Sequence, residues 1–480
     1  MIQKTITSNM ILNMVKGAMG VVFPLITFPY ISRVLGVDAI GQYNFASSIV
    51  SYFVLIAGLG VNTYAIRSGA GYRENKNELE TFSSQILTIN VLTTVLSYIL
   101  LFVLVANVNV MDSRAVILVL SLQVVFKTIG VEWVYSIFED YLFITIRSIA
   151  FQLLSLLLMF ALVHSKNDIL WYAAITVISS AGTGILGFFH ARKYCNLNLT
   201  WHLNLKKHMT PILLFFATNL TVMIYVNSDT TILGLISGKY SVGIYSVSVK
   251  VYTLVKNILA SAIVVSIPQM SASWKNRNIV GFQHLGTEIY DIFLTLVIPA
   301  IVGILLLNKE IIILIAGADF IDASYSLIIL SMALFFCLGA GFWSQGVMIP
   351  MGKEKDVFKI TVVSAIANII LNFILIPAFQ ERAAALTTLI AETIVFFYCR
   401  YVCTKSLDFG SRKGILLKII IGCVPMILIG FIVKELIITE WIVAVLTIVI
   451  CVPLYFWMEY KMGNTAVVKY KKEIVSKLHR

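Results

Sequence analysis

Runs of about twenty apolar residues follow one another along this chain, and no other feature constrains its fold as tightly. They lie near 11–32, 43–64, 84–106, 115–136, 144–163, 169–190, 211–235, 244–267, 289–307, 325–348, 357–377, 383–403, 416–433 and 441–458. A helix rising 1.5 Å per residue needs about twenty residues to cross a hydrocarbon core of roughly 30 Å. Backbone groups in hydrocarbon must pair within their own helix or around a closed barrel, and a barrel would alternate in short segments. The expected fold is all-α: a polytopic membrane protein with about 14 transmembrane helices. Composition agrees, because only 12% of the residues are charged and 59% are hydrophobic, whereas a soluble surface takes about a quarter charged residues.

The net charge of +12 does not form a block. It is dispersed between the apolar runs, which points to anionic headgroups and a fixed orientation, and no nucleic acid is expected as a partner. With the N-terminus in the cytoplasm, 25 Lys and Arg fall on cytoplasmic connections and tails and 7 on outer ones. That bias predicts a multi-pass protein with both termini cytoplasmic. The first run lacks a small-x-small cleavage pattern and reads as a span, not a removable signal.

Ile40-Gly41-Gln42-Tyr43 recurs as Val242-Gly243-Ile244-Tyr245, and a Leu-Gly pair precedes each copy, Leu35-Gly36 and Leu233-Gly234. The copies stand six spans apart and run the same way through the bilayer. This predicts two six-helix lobes related by an axis along the membrane normal, with a substrate path between them. The domains read as a lobe over 1–208, a second over 209–410, and over 411–480 two additional helices with a basic cytoplasmic tail.

Several motifs carry no chemistry. Gly182-Thr183-Gly184-Ile185-Leu186-Gly187 fits a dinucleotide fingerprint, but it sits inside an apolar span where close helix packing is the expected role. Gly346 to Gly352-Lys353 resembles a phosphate loop with one residue too many, and Glu354 stands where Ser or Thr is required. The cysteines, Cys399 and Cys403 among them, read as small apolar helix residues, and no His/Cys set completes a metal site. No metal and no catalytic residue is expected.

Charges inside spans are costly and therefore functional candidates. Lys16 and Arg33 lie near opposite ends of the first span, where snorkelling to the interface is an equal alternative. Lys127, Lys256 and Glu392 lie deep in spans four, eight and twelve. Asp229 and Lys250 stand toward the outer ends of spans seven and eight.

Pro24-Leu25-Ile26-Thr27-Phe28-Pro29-Tyr30-Ile31-Ser32-Arg33-Val34-Leu35-Gly36, then Glu132-Trp133, Glu139 and Arg147, then Asp229, Gly243-x-Tyr245-Ser246, Gly317-Ala318-Asp319-Phe320 and Pro350-Met351-Gly352-Lys353-Glu354, occur in the order of a known family. The chain resembles the oligosaccharide-lipid flippases. Their superfamily also holds multidrug-and-toxin exporters and the peptidoglycan-precursor flippase. Ile137-Phe138 departs from the Gln-Gly often found before Glu139. The resemblance implies a flippase, not an enzyme, in the bacterial cytoplasmic (inner) membrane. It implies a substrate of undecaprenyl-diphosphate-linked oligosaccharide for O-antigen or capsule, with membrane lipids and the polysaccharide polymerase machinery as further partners. Cationic contacts to the diphosphate would come from Lys256, Lys250, Arg33, Lys127 and Lys16. No cofactor is implied beyond a coupling H+ or Na+, for which Asp229, Glu392 and Glu132 are the candidates. A drug exporter of the same fold would favour an acidic or apolar cavity. A membrane polymerase or ligase would carry one long outer loop.

Overall fold

The computed structural model describes residues 6–107, 113–264, 266–405, 407–410, 412–437, 439–469 and 471, so the basic tail from Lys472 to Arg480 lies outside the described residues. Among these residues the regular structure is helical: α1 (Ile6–Gly58), α2 (Val61–Gly69), α3 (Lys76–Asn107), α4 (Arg114–Ile129), α5 (Glu132–Ile137), α6 (Tyr141–Leu162), α7 (Ile169–Ala191), α8 (Leu205–Val264), α9 (Ile267–Lys275), α10 (Ile279–Leu306), α11 (Asn308–Ile315), α12 (Ala323–Gly341), α13 (Glu354–Thr404), α14 (Lys413–Leu436) and α15 (Glu440–Lys461). Ten helical segments among the described residues are long and apolar enough to cross a membrane.

Three helices are too long for one crossing. An unbroken α8 of 60 residues would reach about 90 Å at 1.5 Å per residue. Each is interrupted instead: α1 at Gly36, α8 at Gly238 and α13 at Gln380. Counting each of these twice and adding the 16-residue α4, which is shorter than the usual span, would give the fourteen expected from sequence.

Two of the breaks are copies of each other. Gly36 (φ 75°, ψ −179°) and Gly238 (φ 81°, ψ −175°) share a backbone conformation open essentially to glycine alone. Each stands five residues before the repeated glycine, Gly41 or Gly243. The sequence pairing of Gly36 with Gly234 is therefore off by one helical turn. Gly234 stays helical, and its missing side chain makes room for the Phe45 ring. The repeat continues into the contacts. A Cβ on Gly41 would strike the Lys239 carbonyl, and one on Gly243 would strike the Val37 carbonyl, with Lys239 and Val37 at equivalent places. Tyr43 bonds Thr176 at 3.1 Å, and Tyr245 bonds Thr388 at 3.4 Å.

The chain divides into two compact units, residues 1–243 and 244–480. The first has a core of Tyr64, Phe82, Trp133, Tyr135 and Ile137. The second packs Phe282, Phe293, Trp343, Phe396 and Tyr455. Large apolar side chains such as Leu157, Phe189, Ile374 and Phe431 are exposed, as a surface solvated by lipid requires.

Candidate functional site

In the first unit, α4 ends at Gly130, and Val131 turns the chain through a left-handed residue (φ 37°) into α5. That turn puts Glu132 in the first turn of α5, where the helix dipole favours a carboxylate. It also opens a cavity of about 370 Å³ whose wall includes Asn62, Asn90, Lys127, Glu132, Arg147 and Thr183.

The charges around it form one group. Lys16 Nζ of α1 lies 3.4 Å from Glu132 Oε1, and Arg147 Nη2 of α6 lies 3.9 Å from Glu132 Oε2. Lys127, in the last turn of α4, lines the same space within electrostatic reach of Glu132. Arg147 is buried and held from several sides. Its Nη1 donates to the Tyr135 hydroxyl and, at 2.9 Å, to the Thr183 carbonyl, while its guanidinium faces the Tyr135 and Phe143 rings at 5.1 and 5.2 Å. The Tyr135 hydroxyl in turn donates to the Gly130 carbonyl at 3.1 Å. Two donors at the cavity, Trp133 Nε1 and Arg147 Nε, are buried and make no hydrogen bond among the described residues. Unpaired buried donors are costly, and an anionic or hydroxyl-bearing ligand would satisfy them.

Of the glycines of the false dinucleotide motif, Gly184 lines this cavity. A Cβ on Gly187 would lie 2.7 Å from the Gly130 carbonyl and would crowd Arg147. One on Gly184 would strike the Phe126 carbonyl, and one on Gly182 the Phe151 ring. Close helix packing is their role, as the span position implied. Just outside the cavity, Asp140 precedes α6. Burial would raise its pKa, but hydrogen bonds from His190, Tyr194 and the Phe143 N–H hold its carboxyl below the usual carboxylate range.

A second group lies in the other unit. Lys256 Nζ of α8 sits 5.6 Å from the centre of the Tyr252 ring and lies within electrostatic reach of the Cys337 thiol of α12. That thiol is also within electrostatic reach of Glu392 of α13, and Glu392 is buried. Lys256 therefore meets helices of its own unit.

The remaining candidates stand elsewhere. Lys250 is half-buried on α8, six residues before Lys256 and so on another helix face. Arg33 is exposed and donates to the Pro29 carbonyl at 2.8 Å. Asp229 is buried within electrostatic reach of Tyr52. Of the sequence candidates, the structure brings together Lys16, Lys127 and Glu132 in one unit, and Lys256 and Glu392 in the other. Sequence reasoning missed Arg147 as a cavity residue by counting it with a cytoplasmic connection; it lies well inside α6. Glu139, by contrast, pairs with Arg73 at 3.4 Å and does not line the cavity.

Residues 6–274, more than half of the chain, match the family described as polysaccharide biosynthesis protein. The chain belongs to this family. A putative O-antigen transporter of Escherichia coli is 24% identical over 377 residues, covering 78% of this chain and 90% of its own length. The capsular polysaccharide biosynthesis protein CapF of Staphylococcus aureus is 25% identical over 379 residues, covering 76% of this chain and 91% of its own. Among solved structures, the lipid II flippase MurJ in an inward closed conformation has the same fold. It superposes with a TM-score of 0.78 at 17% identity, covering 97% of this chain and 100% of MurJ. Every candidate residue except Glu392 lies within the part that matches the polysaccharide biosynthesis family.

Proposed function

We propose that the protein is a transporter and not an enzyme: a flippase that carries undecaprenyl-diphosphate-linked oligosaccharide repeat units from the inner to the outer leaflet of the bacterial cytoplasmic membrane. The names of its relatives support a role in surface polysaccharide synthesis, O-antigen or capsule. The observation that carries the substrate reading is the charge of the first unit's cavity. Lys16, Lys127 and Arg147 surround one carboxylate, Glu132, leaving an excess of two positive charges beside two unpaired donors. A diphosphate joining a lipid to a sugar is doubly anionic, and guanidinium and ammonium groups held away from bulk water are its natural partners. The prenyl chain stays in lipid, so only the head group needs a polar path.

Transport follows alternating access between two six-helix lobes, 1–208 and 209–410, with 411–480 appended. Fourteen spans and cytoplasmic termini accord with the basic bias of the connections. Glu132 competes with the diphosphate for the same cations, so binding H+ or Na+ at this carboxylate would couple an ion gradient to substrate. The unit is then released at the outer face for polymerisation.

The test is restoration of surface polysaccharide in a strain lacking its own flippase, across a panel of defined glycan-lipid pathways. Lys127→Gln combined with Arg147→Lys, inserted at normal level, should lower restoration about a hundredfold, because two charge-assisted contacts to a desolvated anion are weakened. Resistance to cationic drugs without any restoration of polysaccharide would overturn the reading.

A further inference from the structure

The connection between α7 and α8 is held in an extended form by the side chains of α3. The backbone N–H of Asn196 donates to Glu80 Oε1 at 3.1 Å, that of Asn198 to Ser84 Oγ at 3.4 Å, and that of Thr200 to Thr88 Oγ1 at 3.0 Å. Every second residue of the strap thus meets every fourth residue of the helix. The registers agree because two extended residues advance about 6.6 Å and four helical residues about 6 Å. Gln85 Nε2 adds a bond to the His202 carbonyl at 2.9 Å.

Burial changes along the strap. Cys195 and Leu197 turn inward and are buried, whereas Leu199 is 66% and Trp201 87% exposed. Their level along α3 is fixed by the bonds at Ser84, Gln85 and Thr88. There the sequence changes from Lys76-Asn77-Glu78-Leu79-Glu80-Thr81-Phe82-Ser83-Ser84-Gln85 to the apolar run opening at Ile86. The two exposed apolar side chains therefore stand where α3 passes from water to hydrocarbon. Arg192, Lys193 and Lys206, all exposed, flank the strap at its two ends.

We propose that this strap is an interfacial anchor, with Trp201 and Leu199 seated at the headgroup level of a membrane leaflet and Arg192, Lys193 and Lys206 binding its anionic lipid headgroups. Tryptophan favours that level because its ring has an apolar body and a polar N–H, and basic residues beside a span gain from anionic lipid. The charge of the flanks and the match to the polar–apolar switch of α3 commit the surface to lipid. The inference depends on the chain spanning a membrane and is independent of what is transported.

The test uses the full-length protein in nanodiscs of phosphatidylcholine with and without phosphatidylglycerol. Subtracting the fluorescence of Trp201→Phe from that of the wild type isolates one of the seven tryptophans. Phospholipids brominated high on the acyl chain should quench this difference signal strongly, deeply brominated ones weakly, and water-borne acrylamide weakly. Strong acrylamide quenching with no effect of bromine would overturn the proposal and leave the strap as a water-facing surface for a protein partner. If Trp201→Phe inserts poorly, a bimane label on Leu199→Cys reads the same depth. In a second arm, changing Arg192, Lys193 and Lys206 singly to Gln should each lower the retention of phosphatidylglycerol over phosphatidylcholine about fivefold. Unchanged lipid preference in all three would overturn the anionic part.

Discussion

The two units use their intramembrane charges differently. In the first, three cations surround an exposed carboxylate at the wall of an open space, and the cations outnumber it. In the second, one lysine and one buried glutamate stand within electrostatic reach of each other beside a thiol and an aromatic ring, one positive charge to one negative. The sequence repeat shows in the backbone breaks at Gly36 and Gly238 and in the Tyr43–Thr176 and Tyr245–Thr388 bonds. The repeat therefore supplies helices and hinges, and the charged side chains supply the division of labour. An unbalanced group beside a cavity can take a ligand. A balanced group closed by its own helices holds them together or takes up an ion.

The largest test of this contrast is Arg147→Ala. It removes the donor to the Tyr135 hydroxyl and a cation that Glu132 and the Thr183 carbonyl both use. Loss of its hydrogen bonds to Tyr135 and Thr183, each made by a charged donor, costs about 1.5–3 kcal/mol apiece, so thermal unfolding in detergent should shift down and transport should be lost. Arg147→Lys should keep the fold within about 1–2 kcal/mol but still impair transport, since a lysine cannot reproduce the fork that reaches Tyr135 and Thr183 together. Full transport by Arg147→Ala would remove the first unit's cavity from the mechanism.

Next comes the balanced group. Lys256→Met and Glu392→Gln should each destabilise by about 3 kcal/mol, and the double variant should lose less than the sum, because each single change leaves the other charge unmatched. Additive losses would mean that the two charges do not couple. Lys256 would then be free to serve the substrate path, as its depth in the eighth span first indicated.

The same two regions differ in how readily they could be read from sequence. Helical class, repeat and the packing role of Gly182, Gly184 and Gly187 follow from period and span position, because lipid leaves the backbone so few options. The grouping of Lys16, Lys127 and Glu132 was less legible: the three come from α1, α4 and α5, and only tertiary packing joins them. Arg147 was missed because, near the start of the fifth apolar run, it counts as a charge of the cytoplasmic connection, and only its partners from α5 and α7 show it inside the fold. The counterpart of Gly36 was misassigned to Gly234 because both offer a Leu-Gly pair, whereas the backbone requirement, φ near 80° with extended ψ, is met at Gly238. Backbone demand identifies a glycine better than its neighbour in sequence does.

That demand gives a smaller, paired prediction. Gly238→Ala meets nothing within 4 Å, and Gly36→Ala meets only the flexible end of Lys166. Neither change is resisted by space, and each should cost about 1–3 kcal/mol from backbone strain alone. Equal losses at the two sites would support their equivalence, and a large loss at one with none at the other would break it.

The smallest change in stability should come from Glu132→Gln, and it separates the two regions most cleanly. Glu132 is half exposed and its ion-pair distances are 3.4 and 3.9 Å, so solvent screening limits its contribution to about 1 kcal/mol or less. The fold should therefore hardly notice the change, unlike Glu392→Gln. Transport should notice it, because the cavity's positive excess rises from two to three and the internal competitor for its cations is gone. A diphosphate-bearing lipid should bind more tightly and be released more slowly, and the dependence of transport on an ion gradient should flatten. Measured in proteoliposomes, tighter binding with slower turnover fits a carboxylate that helps expel the substrate. Unchanged binding and turnover would leave Glu132 as a surface ion pair and return the question of coupling to Glu392 and Asp229.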